Sequence, residues 1–247
     1  LTGIEISSWG HDLKDGSSFI DLLETVSAAA GRMRIRLGSL EPRTITEDFC
    51  RRAVKLPNLC PHFHLSLQSG CDATLQRMNR KYDTARFYHA VELLREYFPG
   101  CGLTCDLITG FPGEGDEEFE ELNVFVNEME FDRMGCFEFS PQEGTPAAEM
   151  ENQVDDDVKT RRGEILMEDQ YLIMQEKNNS RIGKEYKVLV EGYDAYTDSY
   201  SGRTYMDAPE IDGLVKFTSQ KDLDVGDFVD VEIFDVEDYD LIGEARY

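Results

Sequence analysis

Gly102-Leu-Thr-Cys-Asp-Leu-Ile-Thr-Gly-Phe-Pro-Gly-Glu114 decides how the rest of the chain is read. Residues 102–109 form an apolar, β-branched run of strand length, which breaks into a turn at Gly110-Phe-Pro-Gly113. From Asp116 the pattern turns helical and opens on acidic residues, which complement the positive end of a helix. A buried parallel strand feeding a Gly/Pro turn and a helix N-terminus has this form. In α/β folds, ligands bind at such carboxyl ends of strands.

Upstream, His62-Phe-His-Leu-Ser-Leu67 predicts a strand that ends at Gln68-Ser-Gly70, with Asp72 placed to cap a short helix. A helix follows over 84–97, where Phe87, Val91, Leu94 and Phe98 recur at helical spacing. Farther upstream, residues 1–6 read as a strand, 18–30 as a helix with Phe19, Leu22, Leu23 and Val26 on one face, and 33–37 as an alternating strand. Thr46 is the cap of a helix over 46–55. Downstream, the helix over 116–129 carries a stripe of Phe119, Leu122, Val126 and Met129, and a strand over 134–140 ends at Ser140-Pro-Gln-Glu-Gly-Thr145. Five strands alternating with helices predict parallel β/α architecture, either an open sheet or a partial (TIM-like) barrel lacking at least its first unit.

Beyond residue 154 the pattern changes. A long helix over 155–181, charged on its outer faces, stops near Gly183 and reads as a connector. Five short segments follow at 186–190, 204–206, 213–217, 228–234 and 239–245, predicting a small OB-like β-barrel. The expected α/β organisation is a truncated barrel over 1–154, a connector over 155–182 and a β-barrel over 183–247. Residue 1 already sits in a strand-like segment with no initiator Met, so an upstream part is expected to be missing.

The chain of 247 residues carries 25 Lys+Arg against 50 Asp+Glu, a formal net charge of -25. Residues 181–247 hold 7 basic and 17 acidic side chains, a net of -10. Nucleic-acid binders draw much of their affinity from cations that neutralise phosphates, so a segment this acidic repels RNA and attracts a basic protein. A merely solubilising surface accounts for the charge equally well. No apolar run reaches bilayer length, which gives no expectation of a membrane. The six cysteines are scattered over predicted helices and strands, consistent with a reducing cytoplasm.

Several groups bear on chemistry. Cys101 and Cys105 have the first spacing of a C-x3-C-x2-C iron–sulfur triad, but the third position is Ile108 and Cys105 lies in a buried strand, so both read as core thiols. His62 and His64 share one strand face with Ser66 and Gln68; without further ligands at metal spacing they read as packing and hydrogen-bonding groups that line a polar interior. No metal ligands are expected in the chain. Glu41, Gln68 with Ser69, and Asp106 with Glu114 place polar groups at successive strand ends, as a pocket at the top of a barrel requires. Gly110-Phe-Pro-Gly113 admits close backbone approach to a ligand, with Phe111 available to stack on a flat ring.

Taken together, Leu1-Thr-Gly3, Ser39-Leu-Glu-Pro42, Leu67-Gln-Ser-Gly70, Met78-Asn-Arg-Lys81, Asp106 through Glu114, Phe139-Ser-Pro-Gln-Glu-Gly-Thr145 and Asp207-Ala-Pro-Glu-Ile-Asp-Gly213 resemble the radical S-adenosylmethionine methylthiotransferase family over essentially the whole chain. The resemblance implies a partial β/α barrel followed by a TRAM domain, with S-adenosylmethionine and 4Fe-4S clusters as cofactors. It implies that the cluster ligands lie upstream of residue 1, so that the chain is inactive alone. It places Gly3, Glu41, Gln68, Asp106, Gly110, Phe111 and Pro112 around S-adenosylmethionine and Arg80 at its carboxylate, and identifies no catalytic residue. Gly115, where the family usually has a hydroxyl, and Phe139, often Tyr, depart from the pattern. Residues up to about 130 look more like the tRNA-modifying members, and later ones like the ribosomal-protein aspartate methylthiotransferases. The acidic last segment favours a basic ribosomal protein, or the ribosomal subunit carrying it, as partner over tRNA. The alternatives are a methylthiotransferase acting on threonylcarbamoyladenosine in tRNA and a non-catalytic fragment that only docks a partner.

Overall fold

The computed structural model describes residue 3 and residues 5–247. The chain divides into two compact units, Leu1–Gln170 and Tyr171–Tyr247.

In the first unit a 3-10 turn at Ile6–Ser8 precedes helix α1 (Phe19–Ala30). Ser18 and Asp21 form a capping box at its start, with the Ser18 backbone N–H donating to Asp21 Oδ2 at 2.7 Å. Helix α2 (Glu47–Ala53) is capped by Thr46, whose hydroxyl oxygen accepts from the Phe49 N–H at 3.1 Å. Then come strand β1 (His62–Gln68), α3 (Asp72–Arg77), α4 (Thr84–Tyr97), β2 (Gly102–Thr109), α5 (Asp116–Met129) and β3 (Arg133–Glu138). The long helix α6 (Asp156–Asn179) starts in this unit and ends in the second.

The three strands form a parallel sheet in the order β1-β2-β3, with His62 opposite Gly102 and Thr104 opposite Arg133. Side chains alternate across a strand. Phe63, Leu65 and Leu67 of β1 and Leu103, Cys105 and Leu107 of β2 are buried, as are Phe87, Val91 and Leu94 of α4 and Leu122, Phe125, Val126 and Met129 of α5. Phe87 sits edge-on to Phe125 at 5.6 Å and to Phe131 at 6.0 Å. The opposite face of the sheet carries His62, His64, Ser66 and Gln68 beside Thr104 and Asp106. One face therefore holds the fold together, and the other presents chemistry.

Several expectations change. The strand expected at 1–6 falls partly on Leu1, Thr2 and Ile4, which lie outside the described residues, and Ile6 opens the 3-10 turn. Residues 33–37 are no strand: among the described residues, β-pairing here consists of isolated parallel bridges, Ile35 with Leu59 and, farther on, Leu40 with Leu65. The Leu40 N–H donates to His64 O at 2.8 Å, so the chain passes beside β1 without forming a ladder, and Gly38-Ser39 interrupts it between the two bridges. Asp72 does not cap α3; Cys71 holds the cap position, and Asp72 Oδ1 accepts from the Thr84 N–H at 2.8 Å. In α5, Phe119 is only half-buried, with the Arg162 guanidinium over its ring at 5.2 Å.

The second unit is a closed barrel of β4 (Glu185–Asp194), β5 (Ser199–Arg203), β6 (Val215–Thr218), β7 (Phe228–Glu237) and β8 (Asp240–Arg246), in the order β4-β5-β6-β8-β7. Val188, Val190, Val215, Phe217, Val231 and Ile233 fill it. The strand expected at 204–206 lies instead at Ser199–Arg203. Thr204 is drawn into a turn, its hydroxyl donating to Asp207 Oδ2 at 2.6 Å and its N–H donating to the same oxygen at 2.9 Å. A side chain at Gly202 would run into the Leu189 carbonyl, so this strand pair closes only around glycine. Among the described residues no helix is long and apolar enough to cross a membrane.

Candidate functional site

The end of β2 is built around Gly110. Its φ of +69° lies in the left-handed region, and a Cβ there would strike Lys159 of α6. Its N–H donates to Glu114 Oε1 at 2.8 Å, and the Glu114 N–H donates to Phe111 O at 2.9 Å, closing the turn. Arg162 of α6 donates to Glu114 Oε1 at 2.9 Å and to Glu114 O at 3.0 Å, and reaches Asp116 Oδ1 at 2.8 Å. Glu114 and Arg162 are both buried, with side chains 1% and 7% exposed. Burial pushes the Glu114 carboxyl up from its ordinary value, against the opposing pull of the Gly110 N–H and Arg162. Removing one partner of such a pair leaves a buried charge uncompensated, which is far costlier than losing a surface pair. Pro112 O accepts from Arg77 Nε at 3.0 Å, and Arg77 in turn pairs with Glu118. Glu114, Arg77 and Arg162 thus fix a turn that a Gly-Phe-Pro-Gly sequence alone would leave with many conformations.

The end of β1 is held differently. A bulge between Leu65 and Gln68 leaves Gln68 at φ 71°, and the Tyr82 hydroxyl donates to Ser66 O at 2.5 Å. Burial raises the Tyr82 hydroxyl to about 12, with Arg80 pulling it down and Glu41 pushing it up, so Glu41 and Arg80 both act on this end of the strand. Glu41 follows the Leu40 bridge on the far side of β1; its carboxylate accepts from Arg43 at 2.7 Å, and its N–H donates to Ser7 Oγ at 3.0 Å. A cavity of about 360 Å³ lined by Trp9, Phe19, Glu41 and Arg43 opens there.

Gln68 ends β1 and Gly110 follows the end of its neighbour β2, while Asp106 lies within β2 and Glu41 follows the Leu40 bridge beside β1. Phe111 is buried with its ring edge-on to Phe139 at 5.2 Å, and Pro112 is buried beside it. The Arg80 side chain is exposed. Gly3 makes its close approach to Ile6 rather than to any of these groups. A larger groove of about 630 Å³, lined by Tyr88, Val124 and Glu120, contains none of the expected site residues.

Arg162 and Lys159 escape sequence reading, since each looks like part of a solvated helix face. Gly163 is the available signal, a mid-helix glycine within 3.9 Å of Thr109 Oγ1 and 4.0 Å of Cys136 Sγ by its virtual Cβ, marking close packing of helix on sheet. The thiols are inward groups: Cys101 and Cys105 are buried, and burial raises Cys105 well above its ordinary value and Cys136 to about 11. Among the described residues no three His, Cys, Asp or Glu side chains converge to hold a metal ion.

Residues 5–126 match the radical SAM superfamily model and residues 182–245 the TRAM domain model. The chain is 37% identical over 244 residues to the ribosomal protein uS12 methylthiotransferase RimO of Clostridioides difficile (strain 630), covering 98% of this chain and 54% of that protein. The RimO of Geobacter sulfurreducens is 40% identical over 245 residues, covering 99% of this chain and 55% of its own length. The tRNA-2-methylthio-N(6)-dimethylallyladenosine synthase of Clostridium botulinum is 36% identical over 244 residues, covering 99% of this chain and 53% of its own length. The chain spans about half the length of the curated relatives it matches. Among solved structures, coproporphyrinogen III oxidase (HemN) from Escherichia coli superposes with a TM-score of 0.50 at 14% identity, covering 64% of this chain and 37% of that one, a likeness of fold alone. With a radical SAM match, a TRAM match and relatives alike from end to end, the chain belongs to the radical S-adenosylmethionine methylthiotransferase family.

Proposed function

We propose that this chain supplies the cosubstrate-binding strand ends and the TRAM barrel of a methylthiotransferase that modifies an aspartate of ribosomal protein uS12. The observation that carries the reading is the 37–40% identity to RimO enzymes over nearly the whole chain. Residues 1–154 are the catalytic-barrel part, 155–182 the connector and 183–247 the TRAM part.

S-adenosylmethionine is expected against Gly3, Glu41, Gln68, Asp106, Gly110, Phe111 and Pro112, with Arg80 toward its carboxylate. Part of this set fits an adenosyl group: Asp106 is half-exposed on the polar face, and the left-handed Gln68 turns the end of β1 beside it. When bound, the cosubstrate supplies the adenosyl radical precursor; the residues here bind and orient it. The cysteines do not fit a 4Fe-4S cluster, because five are buried thiols and no trio of ligands converges among the described residues. On this reading the cluster ligands are expected in residues outside 1–247, and the chain by itself is expected to be inactive.

Charge favours a basic protein partner. Residues 181–247 carry 17 acidic against 7 basic side chains, and Asp222, Asp224, Asp227, Asp235, Glu237 and Asp238 are exposed. The likeness to the tRNA-2-methylthio-N(6)-dimethylallyladenosine synthase keeps tRNA as the second reading. Titrating the chain with purified uS12 and with tRNA across a salt series separates the two. The proposal expects uS12 to bind and tRNA to bind weakly; tight tRNA binding that falls steeply with salt overturns it.

A further inference from the structure

The polar face of the parallel sheet carries a connected set of side chains that joins Asp106 to groups outside the strand-end site. His64 Nδ1 lies 3.0 Å from Thr104 Oγ1, and His64 Nε2 lies 3.4 Å from Asp106 Oδ2. Thr104 is buried, and its Oγ1 lies 3.5 Å from His62 Nε2. His62 is 5% exposed, and its Nδ1 has no hydrogen-bond partner among the described residues. On the far side of Asp106, strand β3 presents Gly135, whose virtual Cβ would stand 2.8 Å from Asp106 Oδ1. The carboxylate is therefore boxed between an imidazole on β1 and a bare backbone on β3.

The hydroxyl fixes the direction of the chain. Thr104 has one proton, and the shorter contact is the one to His64, so the hydroxyl donates to His64 Nδ1. The Nε2 side of the His64 ring then faces Asp106. Thr104 Oγ1 accepts in turn from His62 Nε2–H, which leaves His62 Nδ1 a bare acceptor. Burial holds His62 neutral, lowering it to about 3, in keeping with this arrangement. The 3.4 Å contact is longer than an ordinary N–H···O bond.

We propose that His64 is a positioning residue that aims the Asp106 carboxylate at the adenosyl cosubstrate, with Thr104 setting the imidazole tautomer. The inference rests on the reading that Asp106 belongs to the cosubstrate site. Asp106 is the group that touches the ligand, and His64 acts through it. A carboxylate with one oxygen 3.4 Å from an imidazole and the other confined against Gly135 offers its exposed edge in one orientation to a donor such as a ribose hydroxyl or an amino group.

Calorimetric titration of the full 247-residue chain with S-adenosylhomocysteine, a non-cleavable probe, tests this. Asp106→Asn is expected to weaken binding by about tenfold or more, the scale of a hydrogen bond to a charged group. His64→Asn places its amide where Nδ1 stands and leaves Asp106 unsupported, so it is expected to weaken binding by about tenfold. His64→Gln carries its amide nitrogen to the Nε2 position and is expected to keep affinity within about twofold. His64→Asn combined with Asp106→Asn is expected to bind no worse than Asp106→Asn alone, as two residues acting through one contact must. If Asp106→Asn leaves affinity unchanged, or the unaltered chain does not bind, the cosubstrate reading at Asp106 fails. If Asp106→Asn weakens binding and His64→Asn does not, or if His64→Gln is as weak as His64→Asn, that reading stands and the positioning role is overturned. Should His64→Asn fail to fold, Thr104→Val serves: weakened binding supports the role, and unchanged affinity contradicts it.

Discussion

The two faces of the β1–β2 sheet have opposite jobs. Outward, Phe63, Leu65, Leu67, Leu103 and Leu107 are sealed under α4 and α5. Inward, His64, Ser66, Gln68 and Asp106 stay partly exposed, and His64 makes polar contacts with Thr104 and Asp106. Alternate residues of the same strands therefore separate the packed face from the face proposed for binding, and substitutions on the two faces are expected to read out on different instruments.

Outer-face and clamp substitutions are expected to have the largest effects. Arg162→Ala strands the buried Glu114 carboxylate and is expected to destabilise the first unit by about 3–5 kcal/mol. Phe87→Ala opens a cavity among Phe125 and Phe131 and is expected to cost about 3–5 kcal/mol. Denaturant midpoints measure both; a loss below about 1 kcal/mol for either would mean that α4 and α6 do not pack as described. Gly110→Ala forces a side chain into the left-handed region and onto Lys159, with an expected cost of about 1–3 kcal/mol in the same measurement. On the inner face, Asp106→Asn is expected to change stability by less than about 1 kcal/mol while changing ligand affinity. A melting point that falls with the affinity would erase the contrast between the faces.

The smallest effect concerns acid. Hydrogen bonds from Arg52 and Ser18 hold Asp21 down at about 2, from an ordinary value of 3.8. Its folded value is depressed, so its contribution is present above the unfolded value and is lost as pH falls through the folded one. Stability is expected to drop between about pH 4 and pH 2. Asp21→Asn is expected to flatten that segment of the acid-unfolding curve, and an unchanged slope would contradict the pairing.

What could be read from sequence follows the range of the interaction. The stripes of α4 and α5, the strand at 102–109 and the Thr46 cap depend on neighbours within a few residues, and the structure places them close to where periodicity puts them. The alternating segment at 33–37 has strand composition, but a strand needs a partner along its length, and among the described residues its β-pairing is the isolated bridge at Ile35. Asp72 has the chemistry of a cap and instead braces the start of α4 through the Thr84 N–H. At the site, polar groups were visible in Glu41, Gln68 and Asp106. The Arg162–Glu114 clamp was not, since its members are 48 residues apart and a charged residue on a helix ordinarily faces water. The His64–Asp106 contact needs two parallel strands in known register, which composition does not provide.

Hydrogen–deuterium exchange of the chain with and without S-adenosylhomocysteine tests most directly whether the inner face and strand ends bind the cosubstrate. The prediction is ligand-dependent protection at residues 66–69 and 106–111, with the outer helices unchanged. Protection confined to the groove lined by Tyr88, Glu120 and Val124, leaving the strand ends unaltered, would contradict it.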